Sequence, residues 1–326
     1  MSTASIRLDR PRPPWLEEPC ETLERAVAQD RLPHAVLLQI GAGQGGEWLA
    51  RWLAARIFCP TVCGDCLACR RVQAGEHPDL QLLSPEESTE IRIEQVRSLA
   101  EQFALTRHGS GRKVAIITPA DRLNRNAANA LLKTLEEPSG EALIVLVTAK
   151  PARLPQTIGS RCLRLVIPPP SMSAMVDWLE QSASMAGAAM GSPAEPSIDW
   201  SAVLEIMGPA PLSALEVDHT RVLAIRQAAQ GAVRDAMAGR LDPPVIAERW
   251  SKDDFAWYLT ALERCAQSEL RESSLRQFVA AAKFWLELID ELNEARRWAD
   301  TPVNKSLVIQ RLLWRLSAVR TILSRA

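Results

Sequence analysis

Between Lys113 and Pro169 the chain sets three short apolar runs around one amphipathic stretch, and that alternation leaves few folds open. Val114–Ile117 is rich in β-branched residues and too short for a helix, so it predicts a buried strand. Leu143–Val147 predicts a second buried strand and Leu163–Ile167 a third. Between the first two, Ala127, Leu131 and Leu135 recur at every fourth position with Leu132 beside them, predicting a helix that Pro138 stops. A strand, a helix and a returning strand in that order run parallel, because the crossover is right-handed. The core is α/β.

Two details of this stretch break local rules. Glu136 and Glu137 close the helix, where the macrodipole disfavours an anion by about 0.3–1 kcal/mol each. Arg161, in Gly159-Ser160-Arg161-Cys162, stands just before a predicted strand. A solvated helix end with a surface arginine is one reading, and a pair of features facing a partner is the other.

Upstream, residues 17–30 predict an amphipathic helix with Leu23, Ala26 and Val27 on one face, and His34–Leu38 a buried strand. His34 reads as a packing or hydrogen-bonding residue. Leu80–Leu83 predicts a further strand. Ile93–Leu105 predicts a helix with Val96, Leu99, Ala100 and Phe103 along one face. Pro168-Pro169-Pro170 ends the sheet and marks a boundary. Residues 171–215 predict a small helical segment, interrupted by a flexible loop over Ala183–Pro196. Beyond Val217 the pattern is all-helical. Val308, Leu312, Leu316, Val319 and Leu323 predict a helix buried on one face, and Trp250, Trp257, Trp285, Trp298 and Trp314 serve either a core or an interface.

The 326 residues, 47% hydrophobic and 24% charged, allow two or three domains. A net charge of −1 supplies no global field to recruit nucleic acid, so such contact needs a local basic patch. No apolar run suits a membrane span and the first 15 residues lack an apolar signal core, which makes a cytoplasmic location the expectation. Seven cysteines, four of them clustered, argue against a secreted disulfide framework. Cys20, Cys162 and Cys265 read as buried free thiols. Cys59, Cys63, Cys66 and Cys69 fall within eleven positions and fit one tetrahedral, structural Zn²⁺ with no open position for water. Unliganded thiols are the alternative. An iron–sulfur run would continue with three residues and Cys-Pro, whereas Arg70 to Ala74 follow here. His77, with four cysteines already available, reads as a capping or packing residue.

Asn129-Ala130-Leu131-Leu132-Lys133-Thr134-Leu135-Glu136-Glu137-Pro138, then a strand, then Leu154-Pro155-x-Thr157-Ile158-x-Ser160-Arg161-Cys162, resembles the clamp-loader branch of the AAA+ ATPases. The resemblance implies a RecA-like AAA+ domain with a parallel five-stranded sheet and a zinc module over residues 1–168. It further implies a helical lid over 169–216 and a helical collar for oligomerisation over 217–326. The close motif matches lie between His34 and Leu165. In that family the Ser160-Arg161-Cys162 arginine is a finger that reaches ATP held by the next subunit. A zinc module occupies the same insertion there with a longer gap between its first two cysteines, which leaves Cys59 the least secure ligand. A helix that begins as Ile91-Arg92-Ile93 does here lines the inside of the ring, making Arg92 and Arg97 candidates for DNA-phosphate contact, or else solvated surface charges.

The family's nucleotide loop reads G-x-x-x-x-G-K-[ST], whose backbone N–H groups cradle phosphates while Lys neutralises them and the hydroxyl holds Mg²⁺. The loop here is Gly41-Ala42-Gly43-Gln44-Gly45-Gly46-Glu47-Trp48. One register puts Glu47 and Trp48 at the last two positions and the other puts Gly46 and Glu47 there. Neither supplies a lysine or hydroxyl. Thr118 and Pro119 stand where the family's Asp-Glu would hold Mg²⁺, and Leu212 where its lid arginine would be. The resemblance therefore implies a clamp-loader subunit of a DNA polymerase III holoenzyme without productive ATP binding, lending Arg161, with Ser160 of the same motif, to a neighbour. Its expected partners are the gamma/tau motor and delta subunits, the sliding clamp and primer–template DNA, with no membrane. Two rivals remain: an autonomous NTPase with an unorthodox loop, and a zinc-containing scaffold of the replication complex with no catalytic role.

Overall fold

The structure, a computed structural model, describes residues 8, 10–86, 88–104, 112–137, 141–190, 198–252, 254–275, 278–298, 301 and 303–323, with backbone alone at 104, 186–190 and 323. Pro138 and Leu105, expected to end two helices, lie outside the described residues. Five strands, β1 (Ala35–Gln39), β2 (Leu80–Leu83), β3 (Lys113–Ile117), β4 (Ala142–Thr148) and β5 (Leu163–Val166), form one sheet in the order β2-β3-β4-β1-β5. Every pairing is parallel.

Side chains alternate across a strand, so each central strand splits its apolar residues between two layers. Val36, Leu38, Val114, Ile116, Leu143 and Val145 pack in one core with Leu23 of α1 (Glu17–Ala28) and Leu49 and Leu53 of α2 (Gly46–Phe58). Ala35, Leu37, Ala115, Ile117, Ile144 and Leu146 line the other. The helix α3 (Leu67–Ala74) follows α2, and α4 (Ile93–Ala104) and α5 (Arg125–Glu136) cover the second face through Val96, Leu99, Phe103, Ala127, Leu131 and Leu135. Burial on both faces is what makes β3 and β4 read as continuous apolar runs.

β5 departs from expectation. Leu163 and Val166 are exposed, and only Ile167, just past the strand, is buried. Among the described residues the strand pairs with β1 alone and so forms an edge of the sheet. Before it lies the four-residue helix α6 (Gln156–Gly159).

The chain divides into two compact units, residues 1–195 with 209–215, and 196–208 with 216–326. In the first, α7 (Met172–Met190) runs as helix through half of the stretch expected to be a loop. Its Ala- and Met-rich sequence favours helix strongly enough to tolerate Gly187. Residues 191–196 of that stretch lie outside the described residues. The second unit takes α8 (Trp200–Met207), and the first takes the short α9 (Pro211–Ala214).

The second unit continues with α10 (His219–Ala238), α11 (Pro243–Lys252), α12 (Phe255–Leu275) and α13 (Val279–Arg297). The helix expected across Val308–Leu323 is two, α14 (Lys305–Ser317) and α15 (Val319–Leu323), separated at Ala318. Trp250 and Trp285 are core residues, Trp257 and Trp298 half-buried, and Trp314 is exposed. Of the isolated cysteines only Cys20 is fully buried; Cys162 and Cys265 are half-buried. Burial still pushes their thiols up, to about 12 for Cys20 and about 11 for the other two. Among the described residues no helix is long and apolar enough to cross a membrane.

Candidate functional site

The turn from β1 into α2 carries the glycine-rich loop, and its own chain fills it. Gly43 and Gly45 have φ of 72° and 103°, a region that L side chains rarely adopt. A Cβ at Gly43 would lie 2.5 Å from Ala210 Cβ, and one at Gly45 2.9 Å from Leu16 Cδ1 and 3.3 Å from Leu212 Cδ1. At Gly46 it would meet Ile40 and Val147 at 2.6 Å. The Gln44 side chain is buried and folds back over Gly41. Trp15 Nε1 donates to the Gln44 carbonyl (2.7 Å), and Leu212 N–H donates to the Gly43 carbonyl (3.1 Å). Leu212 thus closes the loop with both its backbone and an apolar side chain.

Glu47 has a structural partner that sequence reading passed over. Its Oε1 accepts from Arg51 Nη2 (2.9 Å) and Nε (3.2 Å), one helical turn away. Arg51 is 3% exposed, and its Nη1 donates to the carbonyls of Val72 (3.1 Å) and Gln73 (2.9 Å) in the last turn of α3. The loop's only carboxylate therefore neutralises a buried cation that ties α2 to α3. The spacing of Glu47 and Arg51 was legible; the burial of Arg51 was not.

At the end of β3, Thr118 and Pro119 offer no carboxylate, and Thr118 N–H donates to the Leu83 carbonyl. The next acid, Asp121, accepts from Thr148 Oγ1 (2.8 Å) and Ala149 N–H (3.3 Å), which commits that oxygen to holding the end of β4.

Arg161 sits in the turn between α6 and β5. Its Nη2 lies 2.6 Å from Glu136 Oε1, at the end of α5, and its Nη1 donates to Thr157 O (3.0 Å) and Ser160 Oγ (3.3 Å). Ser160 Oγ donates in turn to Thr157 O (3.0 Å). The arginine side chain keeps 35% of its surface exposed. The two rule-breaking features of the sequence thus meet: a cation stands beside the anion that closes α5, which offsets its unfavourable place in the helix dipole. At the start of α5 the Asn124 side chain accepts from Ala127 N–H (2.8 Å), and at its end His34 Nε2 bonds to the Leu135 carbonyl (2.9 Å). Both ends of the helix that carries Glu136 are therefore anchored.

The cysteine segment folds into a compact four-sulfur cluster. The Sγ atoms of Cys59, Cys63, Cys66 and Cys69 all lie within 4.8 Å of one another, and Cys59 and Cys63 are 3.8 Å apart. A Zn–S bond of about 2.3 Å in a tetrahedron puts sulfurs about 3.8 Å apart, so the donor set fits that metal, Cys59 included. Cys66 also caps α3, its Sγ accepting from Cys69 N–H (3.4 Å). Backbone N–H of Cys63, then the Thr61 hydroxyl, pull the Cys59 thiol down to about 6, and backbone N–H of Cys66 lowers Cys63, whereas burial pushes Cys69 up to about 12. His77 stays outside the cluster. It stacks on Phe58 with ring centroids 3.8 Å apart and accepts from Asp79 N–H (3.2 Å).

Arg97 on α4 and Arg92 just before it are both exposed. A bridge between Ile91 and Leu123 precedes both α4 and α5, so the two helices begin side by side, with Arg92 and Arg125 exposed there.

A family model described as DNA polymerase III, delta subunit, matches residues 15–171. The chain is 37% identical over 224 residues to the DNA polymerase III subunit delta' of Pseudomonas aeruginosa, covering 67% of this chain and 66% of that one. It is 40% identical over 167 residues to the Bacillus subtilis subunit delta' (50% of each chain), and 31% identical over 303 residues to that of Yersinia pestis (91% and 86%). The chain thus spans about half to two thirds of the length of the Bacillus and Pseudomonas relatives. Among solved structures, a DNA polymerase III gamma subunit-related protein from Thermotoga maritima matches with a TM-score of 0.51 and 18% identity, over 92% of this chain and 99% of that one. At that identity the likeness speaks to the fold.

Proposed function

This chain belongs to the DNA polymerase III subunit delta' family, and we propose that it acts in a clamp loader as a subunit that hydrolyses no ATP and lends Arg161 to a neighbouring motor subunit. One observation carries the reading, an asymmetry. The chain's own nucleotide loop is packed with Gln44, Leu16 and Leu212, and Glu47 is bound to Arg51. Arg161, by contrast, keeps a third of its side-chain surface open in a turn anchored to α5 and α6.

In this reading residues 1–168 are the AAA+ core, 169–216 the lid and 217–326 the collar through which the subunit joins gamma/tau and delta. The ring opens a sliding clamp and sets it on primer–template DNA, with Arg92 and Arg97 touching backbone phosphates. The guanidinium of Arg161 approaches the terminal phosphate of ATP held next door and stabilises the charge that spreads over its oxygens as the bond to the leaving group breaks. The four cysteines hold a zinc ion that cross-links the segment between α2 and α3 and takes no part in the reaction.

The experiment is reconstitution with a motor subunit. Arg161→Ala leaves the complex assembled and lowers its ATP turnover by about 10³-fold or more, the range of an arginine finger. Unchanged turnover and clamp loading overturn the reading. They favour the second one, a zinc-containing scaffold, for which the pairing of Arg161 with Glu136 within the chain speaks.

A further inference from the structure

Arg161 is held on two sides by its own chain, and the acid that holds it belongs to a different helix. Glu136 ends α5; its ion-pair partner is not Lys133 in the same turn but Arg161, 25 positions along. Thr157 O and Ser160 Oγ hold Nη1, so among the described residues Glu136 is the one ionised group on the guanidinium and the one contact on Nη2. Together these bonds use at most three of the five N–H donors of an arginine, leaving the rest for an incoming anion. An unheld arginine samples many rotamers, and that freedom is lost on reaching a phosphoryl group; contacts that are already in place remove most of the loss.

We propose that Glu136 is a positioning residue for Arg161: its carboxylate presets the guanidinium at the subunit surface, so that the finger is aimed before the neighbour's ATP arrives. The inference rests on the finger reading of Arg161. Glu136 touches neither nucleotide nor reacting atoms and acts only through the arginine. The helix that carries it is fixed by Asn124 and His34 at its two ends, so the aim derives from the sheet-packed α5 and not from the turn alone.

The test is steady-state ATP turnover by the reconstituted complex with Glu136→Ala, Glu136→Gln, Arg161→Ala and the Glu136→Ala/Arg161→Ala pair. Expected for Glu136→Ala is a three- to fivefold fall in kcat with KM for ATP changed by less than twofold, because the neighbour's pocket is untouched. Glu136→Gln, which keeps an acceptor oxygen, recovers at least half of that loss. In the Arg161→Ala background Glu136→Ala has no further effect, which a merely structural role for Glu136 would not produce. If Arg161→Ala cripples turnover while Glu136→Ala matches wild type or exceeds it, the positioning role is overturned and the finger stands. If Arg161→Ala is itself without effect, the finger reading falls and this inference with it.

Discussion

Replacing Glu47 tests whether the glycine-rich loop is structural. Arg51 is 3% exposed and Glu47 40% exposed, so the pair has one buried and one half-wet member. Breaking a fully buried pair by removing one partner costs about 3–5 kcal/mol, and an exposed pair is worth about 0–1 kcal/mol. Water can reach the site from the Glu47 side, which places Glu47→Gln between these limits, at about 2 kcal/mol. For a unit of this size that is a fall of about 4–8 °C in the thermal midpoint. Glu47→Lys costs more, since it sets a second cation against Arg51, and it creates no nucleotide site because Leu212 and Gln44 still fill the loop. Arg51→Met in the Glu47→Gln background removes the stranded charge. The Val72 carbonyl keeps its bond from Gly75 N–H, and the Gln73 carbonyl loses the Arg51 donor but is a neutral group that costs less than a stranded charge, so the double variant is more stable than Glu47→Gln alone. Thermal unfolding followed by circular dichroism, with isothermal titration of ATP, reads all three. A Glu47→Gln midpoint within about 1 °C of wild type, a double variant less stable than the single, or ATP binding by Glu47→Lys would refute the reasoning.

Two further outcomes follow from the same geometry. Chelation, or Cys59→Ser, removes a stoichiometric zinc and strips hydrogen-exchange protection from the eight residues of α3 while α5 keeps its own; a helix that short is marginal without a tether. Metal content by atomic emission that is unchanged in Cys59→Ser would exclude it as a ligand. In the assembled complex, Arg92→Ala and Arg97→Ala each weaken primer–template binding uniformly across sequences and reduce the salt slope by about 1; an unchanged slope would remove that residue from the DNA face.

The parts of the fold legible in the sequence were those set by neighbours in the chain. The β3–α5–β4 unit could be read because strand alternation, helix period and the Asn124 cap all act within a dozen positions. The cysteine cluster was legible for the same reason, its ligands being close in sequence. The misreadings lay where burial is set by distant chain. β5 carries an apolar run yet lies at an edge, and the stretch from Ala183, expected as a loop, is helix to Met190, where α7 continues through Ala and Met residues that favour helix. Nothing in the spacing of Cys162 or Cys265 could tell a half-buried thiol from a buried one.

Local order alone determined that this chain builds a parallel α/β sheet followed by helices, that it gathers four cysteines, and that its glycine-rich loop lacks a lysine and a hydroxyl. Only the tertiary structure decided what fills that loop, that Glu47 serves a buried Arg51, and that Glu136 meets Arg161 across 25 positions. The reason is range: torsional preference and periodicity are properties of adjacent residues, whereas packing, desolvation and charge pairing depend on which distant segments the folded backbone brings within a few ångströms.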